Sequence, residues 1–245
     1  MIMWRNGPTR RARVLPFLGV AGSLIVTTVA VIVALGYTGK HGEPFSVLNH
    51  FISELGQRGV SRYASLFNAG LFFAGALFIP FCIGLGMRLA SWGGWIATAA
   101  GALAGGFCAA VGVFPMNALA VHTFVAMWFF RLGLATTFLF GLAIIAQRQT
   151  RVSRWASLLS LIAVGAFAGF LILAPRMGVN GSGPLHPSFF ENRPRIWTLA
   201  LAEWAVFAAT ILWFLGVGLL VIFRDRRSAT PSGTAPGRRR PGSGQ

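Results

Sequence analysis

Apolar residues run through this chain in long blocks, not in the strict alternation of a half-buried strand. Six blocks stand out, at 14–37, 66–87, 93–114, 121–146, 155–174 and 196–223. Each offers the roughly 20 apolar residues that a helix needs to cross a hydrocarbon core about 30 Å thick. Short joints with Pro, Gly and charge separate them. The alternating segments of about ten residues that mark a membrane barrel are absent. A spanning backbone must satisfy its own hydrogen bonds, which leaves the helix. The pattern predicts an all-α, polytopic transmembrane bundle. A basic stretch at 1–13 leads into a six-span domain at 14–223, and a basic tail follows at 224–245. From 228 onward Ser, Thr, Pro, Gly and Arg dominate, a composition expected to be disordered.

Arg5, Arg10, Arg11 and Arg13 precede the first block, as they would in a secretory leader. The block is longer than the about 7–15 apolar residues of a leader core, so a retained helix is expected.

Composition sharpens this picture. Hydrophobic residues make up 55% of the chain and charged residues 11%, against about 25% charged in a soluble domain. A soluble enzyme and a disordered chain are both excluded. The net charge of +16 suggests nucleic acid until the placement of the charges is considered. Basic residues cluster at block ends, with no continuous basic surface beyond the run at 238–240, so nucleic acid is not an expected partner. Their placement gives orientation instead. Arg5, Arg10, Arg11, Arg13, Arg88, Arg148, Arg151, Arg154, Arg224, Arg226, Arg227, Arg238, Arg239 and Arg240 fall on one side. Lys40, Arg58, Arg62, Arg176, Arg193 and Arg195 fall on the other. The positive-inside rule then puts both termini in the cytoplasm, in what is expected to be the bacterial cytoplasmic membrane. Tyr37, Tyr63, Trp92, Trp95, Trp155 and Trp197 lie near block ends, as an aromatic belt would.

Gly101 with Gly105, and Gly165 with Gly169, are spaced for close helix packing. Such faces also offer a route to a homo-oligomer. Cys82 and Cys108 read as small apolar core residues. No metal and no cofactor is expected.

With this orientation His41, His50, His122, His186, Glu43, Glu54 and Glu191 all fall outside. The stretch 45–56, FSVLNHFISELG, repeats Phe45, Leu48, Ile52 and Leu55 at helical spacing, opposite Ser46, Asn49, His50, Ser53 and Glu54. It predicts a short amphipathic helix at the outer interface, ended by Gly56. His50 and Glu54, at i and i+4, would face each other. His122 opens the fourth span after a joint tightened by Pro115. Arg131 and Glu203 are ionisable groups inside spans, which by default face protein or a water-filled cavity. Their pairing would relieve both charges and shape a polar pocket. His122 and Arg131, nine residues apart, stand on opposite sides of one helix.

These residues resemble a known family. The motif pieces are Asn49-His50-Phe51-Ile52-Ser53-Glu54-Leu55-Gly56, then Phe67-Asn68-Ala69-Gly70, then Val111-Gly112-Val113-Phe114-Pro115 and His122. Together they resemble the bacterial and archaeal integral membrane proteins catalogued as domain of unknown function 998. The likeness spans 14–223. A more distant similarity connects these to the DRAM/Frag/Sfk-type six-span proteins, linked to lipid organisation. The resemblance implies six spans with the ISELG-like segment outside. It points to Ser53, Glu54, Gly56, Asn68, Pro115 and His122 as motif residues, and supplies no reaction. It also leads one to expect an acid in the joint after the Phe-Pro pair; here that joint holds Asn117.

Three functions compete. The first is binding or organising membrane lipid through an outward polar pocket of Ser53, Glu54, Asn68, His122, Arg131 and Glu203, with Arg131 as the partner of an anionic headgroup. The second is a membrane-embedded lipid hydrolase using His50, Glu54 and His122 as metal ligands or acid/base groups. The chain has no HExxH or GxSxG pattern, and its histidines lack close spacing. The third is a small-solute or proton-coupled transporter using Arg131 and Glu203.

Overall fold

A computed structural model describes residues 10–179, 187–190 and 193–229. It carries six long helices: α1 (Arg10–Leu35), α2 (Ala64–Leu89), α3 (Trp92–Val113), α4 (Leu119–Ala146), α5 (Trp155–Arg176) and α6 (Thr198–Ala229). All six are long and apolar enough to cross a membrane, and the chain is a multi-pass membrane protein. The helix bounds follow the apolar blocks closely. The difference is at the end, where α6 continues as helix past Phe223 to Ala229. The tail expected from 224 therefore begins helical, and 230–245 lies outside the described residues. His186 and Glu191 lie outside them as well.

Each helix packs on its neighbours in sequence, and α6 returns to pack on α1. The six thus close into a ring. Tight joints impose this order. The α2–α3 joint turns at Ala90, which adopts a left-handed conformation (φ 46°), and Ser91 caps α3 by accepting from the Gly94 N–H at 3.1 Å. Pro115 and a 3-10 turn (Met116–Ala118) join α3 to α4.

Glycine sets how closely α2 and α3 approach. A methyl at Gly75 would stand 2.5 Å from the Gly105 carbonyl oxygen. Gly101 and Gly105 therefore work as the spacing predicts. Gly165 and Gly169 do not: they lie exposed on α5, where a Cβ would meet nothing within 4 Å. Ser160 on α5 accepts from the Trp213 indole of α6 at 2.9 Å. Cys82 and Cys108 are buried and free. Trp92, Trp95, Trp155 and Tyr63 are exposed near helix ends, but Tyr37 and Trp197 are buried. These two belong to the interior and not to a belt.

Both described chain ends, at the start of α1 and the end of α6, fall at one end of the ring, called here the terminal end. There the Arg88 guanidinium of α2 grips the Asp225 carboxylate of α6 at 2.7 and 3.0 Å. Arg224 donates to the Thr150 carbonyl, and Arg151 to the Arg88 carbonyl at 3.4 Å. The opposite end is filled by the segment between α1 and α2.

Candidate functional site

The segment 45–56 is not the amphipathic helix its spacing predicts. It is a turn at 46–50 followed by a 3-10 turn, Ile52–Gly56. Leu48, expected on the apolar face, is exposed, whereas His50 and Glu54, expected on the polar face, are each 3% exposed. The reason is tertiary. Residues more than a hundred positions away satisfy the polar groups of this segment, so it plugs the ring with its polar side inward.

Glu54 organises the plug. Its carboxylate accepts the Phe51 N–H at 2.8 Å and both ends of the Arg193 guanidinium at 2.8 Å each. Arg193 also donates to the Asn49 carbonyl at 2.7 Å. Burial works against the Arg193 charge, but its Glu54 partner outweighs it and the group holds its proton more firmly than usual. The Trp197 N–H binds the Leu48 carbonyl at 2.8 Å, and the Trp204 indole binds the His50 carbonyl at 3.1 Å. The Asn68 amide of α2 donates to the Gly56 carbonyl at 2.9 Å. A side chain at 56 would strike the Asn68 amide oxygen, so glycine is required there by close approach.

His50 and Glu54 do not hydrogen-bond to each other. The His50 Nδ1 pairs with the Ser46 backbone at 3.2 Å, and its ring lies among Tyr37 and Phe45. Burial lowers its affinity for a proton. Burial, followed by the nearby Glu54 charge, raises the Tyr37 phenol well above its ordinary value.

Glu203 faces inward from α6. It accepts the Ile52 N–H at 2.8 Å, and the N–H and hydroxyl of Ser53 face it. The expected pair with Arg131 does not form. Arg131 is exposed on the outside of α4, its guanidinium carbon 5.5 Å from the centre of the Trp128 ring. Glu203 needs no cation because three donors of the plug already face it.

His122 is fixed by donating its Nδ1–H to the Phe114 carbonyl at 2.8 Å. A carbonyl only accepts, so Nε2 is left as an acceptor. Asn117, in the same joint, pairs with both the N–H and the carbonyl of Arg58, at 2.8 and 2.9 Å. Its amide uses a donor and an acceptor at once, which a carboxylate cannot do.

Beneath the plug lies a cavity of about 70 Å³ inside the ring. Val26, Phe67, Leu71, Phe78, Phe129, Phe130, Val206 and Phe207 supply most of its wall, while Ser53, His122 and Glu203 gather at its plug end. A second cavity of about 50 Å³ adjoins it between α4, α5 and α6 and shares Ser53, His122 and Glu203. A third, of about 20 Å³, lies deeper and shares Phe78, Phe129 and Thr210. The Thr210 hydroxyl is buried and makes no hydrogen bond. Among the described residues no arginine or lysine lines any of the three.

A family of proteins of unknown function (DUF998) matches residues 20–220. The chain belongs to this family. No curated protein and no solved structure matches it. Within the family framework the motif residues Ser53, Glu54, Gly56, Asn68, Pro115 and His122 all lie at the plug end. Glu54, Gly56 and Asn68 build the plug, and Ser53 and His122 line the cavity.

Of the residues expected to form one pocket, the structure gathers Ser53, His122 and Glu203 around the cavity. Glu54 and Asn68 support it from behind, and Arg131 stands outside. His50, Glu54 and His122 do not form a metal-binding set; among the described residues no three His, Cys, Asp or Glu side chains do. Sequence reasoning missed Arg193 and Thr210. A signal existed for Arg193, since a buried acid in a motif needs a cation from the same side, and few basic residues fall there. For Thr210 there was none.

Proposed function

We propose that the protein binds a membrane amphiphile inside its ring of helices. The head meets Ser53, His122 and Glu203, and the central cavity of about 70 Å³ takes only the first few carbons of the apolar tail. The observation that carries this reading is the segregated lining: apolar walls along the cavity and three hydrogen-bonding groups at one end. With a carboxylate and an imidazole acceptor there, and no arginine or lysine in the lining among the described residues, the site favours a head that donates hydrogen bonds. A hydroxyl or an amine fits; a phosphate does not. This departs from the anionic head that Arg131 was expected to hold. The charge asymmetry of the joints supports the plug end facing outward from the bacterial cytoplasmic membrane.

Lipid mass spectrometry on the purified, detergent-solubilised protein tests the reading. One enriched species carrying a hydroxyl or amine is expected, and its loss in His122→Ala and Glu203→Gln. A lipid profile matching the bulk membrane and unchanged in both variants would sink it.

A second reading, passage of a small solute along the ring axis, draws on the three adjoining cavities, of which the first two share Ser53, His122 and Glu203 and the first and third share Thr210. Reconstituted vesicles should then show a flux that Glu203→Gln abolishes.

A further inference from the structure

Arg131 is out of place in a way the cavity does not explain. It stands midway along the apolar stretch Met116–Ala146, about 18 Å from the start of α4 at 1.5 Å per residue. That is the depth of the bilayer centre, where a charged side chain is costly and by default faces protein or a water-filled cavity. Here it faces neither. It is exposed on the outer face of the ring and folds back over Trp128 instead of stretching toward the interface. Phe124, Trp128, Phe138 and Leu142 flank it along α4, all exposed, at alternating spacings of three, four and seven residues. The result is one apolar stripe with a single cation at its middle.

Among the described residues the chain has no complement to offer. Glu54 is held by Arg193 and Asp225 by Arg88. Glu203 is inside the ring, and Glu43 accepts the His41 N–H outside the spans. A second copy packed face to face would bring arginine to arginine. Lipid phosphates lie at the interface, about 15 Å from the bilayer centre, and the folded Arg131 side chain does not reach for them. We propose that this face of α4 docks a transmembrane helix of another protein, one that carries an Asp or Glu at mid-depth. An arginine–carboxylate fork in hydrocarbon would satisfy both charges, and the aromatic stripe would supply van der Waals packing along the helix.

The test uses the full chain in phosphatidylcholine nanodiscs and a synthetic polyleucine helix of about 23 residues. The helix carries Glu, Gln or Lys at its centre, and association is read by fluorescence energy transfer. The Glu helix is expected to bind the wild type at least about tenfold more tightly than the Gln helix, a preference lost in Arg131→Gln. In Arg131→Glu the preference should transfer to the Lys helix. If that variant fails to fold by size exclusion, the comparison of wild type with Arg131→Gln decides. Equal binding of Glu and Gln helices by the wild type overturns the proposal. So does a wild type that ignores the Glu helix yet retains phosphatidylglycerol through delipidation when Arg131→Gln does not, for the face would then be a lipid phosphate site.

Discussion

At the plug end the Glu54 side chain is 3% exposed and its partner Arg193 21%; at the terminal end Arg88 is 7% exposed and Asp225 19%. Both pairs are two-pronged forks of similar length, built in opposite senses. Where the acid is the buried member, it serves irregular backbone: Glu54 takes the Phe51 N–H as well as Arg193. Where the guanidinium is the buried member, it joins two regular helices, α2 and α6, whose own N–H groups are already used. The difference teaches what each charge is for. A buried carboxylate collects orphan backbone donors in a turn, while a buried guanidinium ties helices whose backbone N–H groups are already paired.

This contrast can be broken at several points. The largest effect is expected from Glu54→Gln, which leaves Arg193 uncompensated and weakens the Phe51 cap. A loss of about 3 kcal/mol is expected by thermal unfolding in detergent, within the range for breaking a buried pair. Glu203→Gln comes next. It replaces the charged acceptor of the Ile52 N–H group, at a cost of about 2 kcal/mol, and should speed hydrogen exchange at 51–56 while sparing α2. Asp225→Asn should cost less, about 1 kcal/mol, because its acid is partly solvated and organises no turn. Were Asp225→Asn to cost as much as Glu54→Gln, the distinction between the two forks would fail. The smallest effect concerns pH. His50 is buried with its folded affinity for a proton lowered from the ordinary value of 6.5. The unfolded chain therefore binds the proton more readily. Stability is full above about pH 6.5 and falls as pH drops from there through the lowered folded value. A pH series of melting temperatures should show this step in the wild type and lose it in His50→Gln; a step that persists would assign it elsewhere. Tyr37, Glu43, Glu54 and Arg193 act electrostatically on or beside His50, so the series is best run below the range where Tyr37 titrates.

The helices were legible because block length in a bilayer is a strong constraint, and the motif residues named by the family resemblance gather at one end of the ring. Facing was not legible. A helix in a ring inside hydrocarbon is apolar on its inner and outer sides alike, so periodicity cannot say which way Arg131 turns. Its outward position had to come from packing. The plug misled for the opposite reason. Its stripe of Phe45, Leu48, Ile52 and Leu55 matches a helix in isolation, but Glu203 and Arg193 offer its backbone better partners than its own turns do. His122 and Glu203 were found because ionisable groups are rare in spans. Thr210 gave no signal, since a threonine in a helix normally satisfies its hydroxyl locally, as Thr137 does with the Gly133 carbonyl.

The return of α6 to α1 carries a consequence for biogenesis. A ribosome delivers α6 after the other five helices, and with it Glu203, while Arg193 in the preceding loop emerges only shortly before. Until then the ring is an open arc, the segment at 45–56 has neither acceptor nor cation, and the interior is open to lipid. Seating of the plug thus waits for α6. A nascent chain stalled before α6 would present its unseated loop to membrane proteases, and a finished one would hide it.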